Sequence, residues 1–152
     1  MTTNDDVEAQ VLTVEDGPFA GWQSWSGNPF EDHAGPYYYR SVEGEGTTGS
    51  FVPEAQHMNG LSVSGGALVA FADSLVGALI YYSGIDQVAL TVTLNCEFLG
   101  AGVVGVPVYG TGRLVRETKS MVFVHGQLDQ SDEPILLFSS VCRKITKRID
   151  VR

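Results

Sequence analysis

The chain has 152 residues, a formal net charge of -9 and 43% hydrophobic residues. This length and this ordinary apolar content favour one globular domain with a substantial core, and the acidic balance argues against nonspecific nucleic-acid binding. Apart from Arg40, every Lys and Arg lies from Arg113 onward. That basic half could hold a phosphorylated ligand, although a solvated face is the more common role of such charges.

The first 30 residues show little periodicity. Residues 1–17 are polar and acidic, and the start of the chain lacks the apolar stretch of a signal peptide. We therefore expect a flexible or loosely docked segment over residues 1–30 and a cytoplasmic protein. Trp22 and Trp25 lie in a stretch rich in Gly and Pro, which predicts an irregular lead-in anchored by aromatic side chains.

The remaining elements predict one domain over residues 31–146 with a short tail at 147–152. Two short strands are expected before the helix and four strands in a meander after it, at residues 37–42, 49–53, 88–99, 108–117, 119–128 and 135–145. Consecutive strands joined by short turns favour an antiparallel sheet. Together with one apolar helix, this sheet predicts a two-layer α+β fold.

The longest apolar run is GGALVAFADSLVGALIYY, at residues 65–82, and it holds one charge, Asp73. A helix that is apolar all round is normally buried, and the run is too short and too interrupted to indicate a membrane span. A buried ionised carboxylate is costly unless it is paired, and active sites use such groups as general bases. Asp73 is therefore a candidate base, although a structural pairing is the more common role.

Ser64, Gly65 and Gly66 precede this run. Ser is a good N-cap, and glycines at a helix start let a ligand reach N–H groups where the helix dipole favours negative charge. Such a terminus can hold a developing oxyanion, although a plain N-cap would look the same. Asp73 lies roughly 12 Å further along the axis, so a second subunit would have to bring its Asp73 to this Gly65.

The two cysteines, Cys96 and Cys142, do not form a CxxC motif, and the three histidines are scattered. This spacing predicts no metal site. Because the expected setting is cytoplasmic, free thiols are the default.

These motifs resemble those of hotdog-fold acyl-CoA thioesterases of the phenylacetic-acid-degradation (PaaI) type. The family motif, H-x-N-x-x-G-x-x-H-G-G followed by an Asp, is similar to HMNG at residues 57–60, SGG at 64–66 and Asp73. The strands at residues 91–99 and 112–124 also resemble those of the family. The resemblance covers roughly residues 30 to 146.

The resemblance implies a hotdog fold, an α+β domain in which an antiparallel sheet wraps around a long central helix. It implies hydrolysis of acyl-CoA thioesters to free acid and CoA, without a cofactor, at a site shared across a homodimer interface. Dimers of this family often pair into tetramers. Neither nucleic acid nor a membrane is implied as a partner.

The resemblance also assigns roles to residues. It implies that Asp73 is the general base or nucleophile, that the Gly65 N–H polarises the thioester carbonyl, that Asn59 positions water or the thioester, and that Thr91 assists Asp73. Ser64 occupies the place of a family His. The candidates for contacts with the CoA phosphates are Arg113, Arg116, Lys119, Arg143 and Lys144.

Two departures keep other functions open. Ser64 replaces the usual His, and the spacing from Asn59 to Gly65 is one residue shorter than in the family. A noncatalytic acyl-CoA or acyl-carrier binding protein of the same fold is therefore the main alternative. A dehydratase or hydratase ranks lower because such enzymes need a His at the site, and none lies within the helix motif.

Overall fold

The computed structural model describes residues 10–145. The strands are β1 (Gln10–Thr13), β2 (Gln23–Ser26), β3 (Tyr38–Val42), β4 (Gly46–Phe51), β5 (Val88–Phe98), β6 (Val108–Glu117), β7 (Met121–Gln130) and β8 (Glu133–Ile145). The helices are α1 (Pro29–Ala34) and α2 (Gly65–Tyr82), with a 3-10 turn at Ala55–His57. All eight strands form one antiparallel sheet in the order β1-β2-β3-β4-β6-β7-β8-β5. The predicted two-layer α+β architecture is confirmed.

Helix α2 has the predicted bounds and packs on one face of the sheet across strands β4 to β8. Its core side is formed by large side chains spaced three or four residues apart, which places them on one face of the helix. These side chains are almost fully buried: Leu68, Phe71, Leu75 and Leu79. Contrary to the sequence-based expectation, this helix is long and apolar enough to span a membrane by length and composition. Its packing on the sheet accounts for its apolar face.

The prediction that α2 is buried all round was wrong. Asp73, Gly77 and Tyr81 are exposed and form a stripe along the helix, which Gly66 extends toward the N-terminus. The small residues of this stripe count as apolar in the sequence but expose little apolar surface, so composition did not reveal the open side. Asp73 therefore lies at the surface of the single chain and not in its core.

Glycines in the sheet allow the large side chains of α2 to approach closely. A Cβ atom on Gly110 would lie 2.5 Å from Leu75 Cδ2, and one on Gly112 would lie 2.7 Å from Leu79 Cδ1. Both distances are shorter than a van der Waals contact. The glycines of β6 thus set the depth at which the helix sits on the sheet.

A β-bulge at Val92 changes which side chains of β5 face the helix. Thr91 pairs with Cys142, whereas Thr93 pairs with Val141, so Val92 is the extra residue. A bulge shifts the alternation of side chains by one residue. Thr91 therefore lies on the same face of β5 as Leu94, Cys96 and Phe98, whereas a regular strand would place it on the opposite face.

The structure contains two strands that the sequence did not predict. Strands β1 and β2 form a hairpin, and Gln23 of β2 pairs with Tyr39 of β3, which extends the sheet. Both strands are short, and β2 is polar apart from Trp25, so no period of two was visible in the sequence. The domain boundary at residue 31 and the expectation for residues 1–9 stay predictions, and residues 1–9 and 146–152 lie outside the described part.

The later strands differ from the prediction mainly at their ends. Strand β4 begins at Gly46, so Thr47 and Thr48 belong to the strand and not to the turn. The loop predicted at residues 129–134 is a two-residue turn with positive φ at Ser131 (53°) and Asp132 (64°). Two central residues with positive φ form the turn that best matches the twist of a hairpin.

Candidate active site

The structure brings Asp73 and Thr91 together at the edge of the sheet. Thr91 Oγ1 donates a hydrogen bond of 2.8 Å to Asp73 Oδ1. Asp73 lies on the open stripe of α2, and the bulge at Val92 turns Thr91 toward the helix. This contact orients the carboxylate, and the remaining lone pairs of Asp73 stay available to accept a proton from a bound group.

The N-terminus of α2 carries free hydrogen-bond donors. The Ser64 carbonyl accepts the N–H groups of Ala67 and Leu68, at 3.0 and 3.2 Å. The Ser64 side chain does not cap the helix, and the N–H groups of Gly65 and Gly66 donate to no residue in the described range 10–145. This terminus has the chemistry of an anion site or oxyanion site.

Two loops hold this helix terminus in place. Val63 N–H donates to the Gly102 carbonyl (3.0 Å), and Ser64 N–H donates to the His57 carbonyl (2.7 Å). The Gln130 side chain is 6% exposed and bonds to both backbone groups of Val103 and to the Val106 carbonyl. These hydrogen bonds fix the loop after β5 to strand β7. The same loop holds the segment that leads into α2.

The Asn59 side chain is used within its own turn. Its Oδ1 accepts the N–H groups of Leu61 and Ser62, both at 3.2 Å, and Asn59 is exposed. The shorter spacing to Gly65 leaves a tight turn here that this side chain completes. The role of Asn59 in positioning water or a thioester stays a prediction, and this geometry does not add to it.

His57 has a structural role in this chain. Its Nδ1 accepts the Glu54 N–H at 2.9 Å, and its Nε2 donates to the Ala34 carbonyl at 2.6 Å. The ring is buried. Because both ring nitrogens are used, His57 connects α1 to the approach of α2.

The basic residues proposed for CoA lie mainly on the sheet face opposite α2. Across the strands, Arg113 pairs with His125, Arg116 with Phe123 and Arg143 with Met121. These three partners lie on β7 and alternate with its buried residues. Lys119 lies in the turn between β6 and β7, and Lys144 Nζ pairs with Glu117 Oε1 at 2.5 Å. Their contact with CoA stays a prediction.

Sequence reasoning missed a buried network beside Asp73. Tyr39 Oη donates to Ser74 Oγ at 2.7 Å, and the Ser74 hydroxyl donates to the Glu31 carboxylate. Burial raises the pKa of Glu31, and the charges of Asp32 and Asp73 raise it further, while the hydrogen bond from Ser74 lowers it. Burial also raises the pKa of Tyr39 well above its usual value. Ser74 within an apolar helix was the only visible signal, because Glu31 lies 43 residues away.

Cys96 and Phe98 lie on the same face of β5 as Thr91. Desolvation raises the pKa of the Cys96 thiol, and the charge of Asp73 adds to this effect. A Cβ on Gly65 would lie 3.1 Å from Phe98 Cε1, so the Phe98 ring packs directly against the first residue of α2.

The site is open in the single chain. Asp73 is exposed, and it lines neither the cavity of about 190 Å³ around Phe19 and Tyr38 nor the cavity of about 390 Å³ around Arg113 and His125. Among residues 10–145, no group of three or more His, Cys, Asp or Glu could hold a metal ion. Any ligand of Asp73 would therefore bind on an open surface unless a second chain covers it.

A comparison with known protein families matches the segment that contains Asp73 and Thr91. The family model described as "Thioesterase superfamily" matches residues 62–136. This segment begins just before the N-terminus of α2 and includes Asp73 and all of β5. No curated protein matches the sequence of this chain.

Several solved structures share the fold. The PaaI protein from the E. coli phenylacetic acid degradation operon has 20% identity and a TM-score of 0.69, over 78% of this chain and 86% of that chain. A hypothetical thioesterase with coenzyme A from Streptococcus pneumoniae TIGR4 has 12% identity and a TM-score of 0.66, over 74% and 90%. The protein smu.793 from Streptococcus mutans UA159, bound to acetyl CoA, has 16% identity and a TM-score of 0.63, over 72% and 90%.

At these identities the structural matches establish the fold, and the family model adds the sequence pattern around α2 and β5. An antiparallel sheet packed on one long helix is the architecture they share with this chain. This chain therefore has the hotdog fold that the sequence predicted, and its residues 62–136 are similar to the thioesterase superfamily.

Proposed function

We propose that this protein hydrolyses acyl-CoA thioesters, as a thioesterase of the PaaI type, at a site shared by two subunits. One observation carries the proposal. The Asp73–Thr91 pair and the uncapped N-terminus at Gly65 lie near opposite ends of the same edge strand, β5. The names of the similar structures, a thioesterase with coenzyme A and a protein bound to acetyl CoA, support the substrate class.

Gly65 and Asp73 of one subunit are too far apart to act on one carbonyl. They lie eight residues apart on α2, which corresponds to roughly 12 Å along the axis. They also contact different parts of β5, Gly65 at Phe98 and Asp73 at Thr91. A general base must come within hydrogen-bond reach of the group that it activates, so a complete site needs a second subunit.

Strand β5 offers the surface for this pairing. It has 11 residues and lies at the end of the sheet, so one side of its backbone has no strand beside it. Its exposed apolar side chains include Leu90, Val92 and Phe98. A long, exposed, apolar edge strand tends to pair with another chain. A second copy of β5 is the partner that we propose.

Antiparallel pairing of two β5 strands would join the separate halves of the site. A two-fold axis midway between Thr91 and Phe98 places Phe98 of one strand beside Thr91 of the partner subunit. Because Gly65 packs on Phe98 and Asp73 bonds Thr91, each helix terminus then faces a carboxylate from the other chain. Such an isologous dimer has two identical sites.

The chemistry follows from these two groups. The thioester oxygen accepts a hydrogen bond from the Gly65 N–H, where the helix dipole stabilises the charge that develops. Asp73 of the partner subunit takes a proton from water, and the water oxygen attacks the thioester carbon. The carbon–sulfur bond breaks, the acid is released, and the proton returns to the sulfur of CoA. Thr91 keeps the carboxylate in one orientation during these steps.

The alternative is a protein of the same fold that binds acyl-CoA or an acyl carrier without turnover. Ser64 replaces the usual His. The side-chain carbonyl oxygen of Asn59 accepts hydrogen bonds within its own turn. Both observations concern groups that would assist Asp73 and Gly65. Binding without release of thiol would favour this alternative.

The first test is thiol release from short-chain, long-chain and aryl acyl-CoAs by the wild type, Asp73→Asn and Asp86→Asn. Asp86 is an exposed carboxylate in the turn after α2, so its substitution makes the same chemical change away from the site. We expect Asp73→Asn to lose at least a hundredfold in kcat and Asp86→Asn to match the wild type. Equal rates for all three proteins would contradict the proposal.

A complementation experiment tests whether the site is shared. Gly65→Pro removes the N–H donor at the first helical position, where proline is tolerated. A heterodimer of an Asp73→Asn chain with a Gly65→Pro chain has one intact site, so mixing two inactive proteins restores roughly a quarter of wild-type activity with random exchange. No recovery in a proven heterodimer would place the whole site in one chain.

A further inference from the structure

We infer that Phe98 limits the length of the acyl group, so that the protein prefers short acyl-CoAs; this inference rests on the proposed function. The Phe98 ring lies directly against the backbone of Gly65, because a Cβ there would be 3.1 and 3.2 Å from two of its carbons. The three atoms nearest to that position all belong to this ring. Whatever group sits on the Gly65 N–H therefore lies next to this ring.

The Phe98 ring packs against the protein on one side and is exposed on the other. Phe98 lies opposite Leu136 of β8, which is fully buried, and Phe98 faces the helix side of the sheet. Even so, it is 54% exposed. A large apolar side chain that stays half exposed beside a free backbone donor has the character of a pocket wall, since binding sites combine apolar walls with few polar groups.

An acyl chain cannot pass below the ring into the domain. Val63, Leu68, Ile135 and Leu136 close the core under the start of α2, and each is at most 5% exposed. The cavities beside Phe19 and beside Arg113 both lie away from this end of the helix. The acyl group must therefore lie on the helix side of β5, where the Phe98 ring occupies the space close to the carbonyl.

The test compares chain-length profiles of Phe98→Ala, Phe98→Leu and the wild type, using thiol release from acetyl-, butyryl-, octanoyl- and palmitoyl-CoA. Removing the ring opens space next to the thioester. We therefore expect the ratio of kcat/KM for octanoyl-CoA to that for acetyl-CoA to rise about tenfold or more in Phe98→Ala. Phe98→Leu should show a smaller rise, and it serves as the test if the alanine variant does not fold.

Phe30→Ala is the matched control, because Phe30 is 61% exposed on α1 and undergoes the same change. We expect its profile to equal that of the wild type. A uniform change over all four substrates, or no change, in a folded Phe98 variant would overturn the inference while thioesterase activity stands. No thiol release from any substrate by the wild type would instead refute the proposed function, and the inference with it.

Discussion

The orientation of Asp73 depends on one hydrogen bond from Thr91. Thr91→Val keeps the shape of the side chain and removes the hydroxyl donor. A hydrogen bond to a charged group contributes about 1.5 to 3 kcal/mol, so we expect kcat to fall about 10- to 100-fold. Since Thr91 is exposed in the single chain, stability should change little. Initial rates and urea denaturation measure both effects.

Thr93→Val is the control for this substitution. Thr93 lies beyond the bulge, pairs with Val141 and is also exposed, but it faces away from α2. Its variant should keep wild-type activity. An equal loss in both variants would show that Thr91 acts through strand β5 as a whole and not through Asp73.

Glu31 makes stability depend on pH. Burial raises the pKa of this carboxyl in the folded chain, whereas the unfolded chain exposes it and restores the usual pKa. Folding thus favours the protonated form of Glu31. The contribution of this protonated group to stability is complete below the pKa of the unfolded chain, and it is lost as the pH rises through the raised pKa of the folded chain. Glu31→Gln stays neutral and can still accept the Ser74 hydroxyl. It should be more stable than the wild type at about pH 7.5, with the difference vanishing near pH 4.

Urea denaturation at both pH values measures this difference, with Glu45→Gln as the control in an exposed turn. The charged groups acting on Glu31 are Asp32 and Asp73, and both disfavour its ionisation. A Glu31→Gln variant that is less stable at neutral pH than at acidic pH, relative to the wild type, would contradict the argument.

At the scale of the elements, the conformation of the loop between β5 and β6 depends on hydrogen bonds from the Gln130 side chain. Gln130→Leu leaves the Val103 N–H and the carbonyls of Val103 and Val106 without that partner. Unsatisfied partly buried groups cost about 1 to 3 kcal/mol each, so we expect a loss of roughly 3 kcal/mol in the free energy of unfolding. Because the same loop holds Val63 ahead of α2, kcat should fall as well.

Gln127→Leu makes the same change three residues earlier on β7. Within residues 10–145 its amide bonds only the Asp129 side chain, so this variant should lose less than about 1 kcal/mol. Denaturation of both variants separates the two cases. Equal stabilities would show that the loop does not depend on Gln130.

The elements differ in how far the sequence predicts them. Helix α2 was predicted with its observed bounds, because a glycine pair begins it and the SGIDQ turn ends a long apolar run. The bulge at Val92 was not predictable, because VALTVTLNCEFL alternates without a glycine or proline to mark an irregularity. At the site, Asp73 and Gly65 were candidates from the apolar run and the glycine pair, and Thr91 came from the family resemblance. Glu31 and Ser74, in contrast, meet only through the tertiary fold.

At the scale of the whole molecule, the proposed activity depends on the edge of β5. Val92 is the bulge residue there and is 56% exposed. Val92→Lys adds a charge to a strand that we propose to be buried against its copy, and charged residues on edge strands prevent such pairing. We expect a monomer by light scattering at micromolar concentration and at least a hundredfold loss of kcat, because each site would lose half of its groups.

Val115→Lys is the matched control for the edge. Val115 is the bulge residue of β6, is 44% exposed, and lies in an interior strand of the sheet, opposite β7 and beyond the part of β6 that pairs with β4. Its variant should keep the mass and activity of the wild type. An active monomer of Val92→Lys would refute the shared site, whereas an inactive monomer that regains activity when mixed with Asp73→Asn would show that dissociation alone caused the loss.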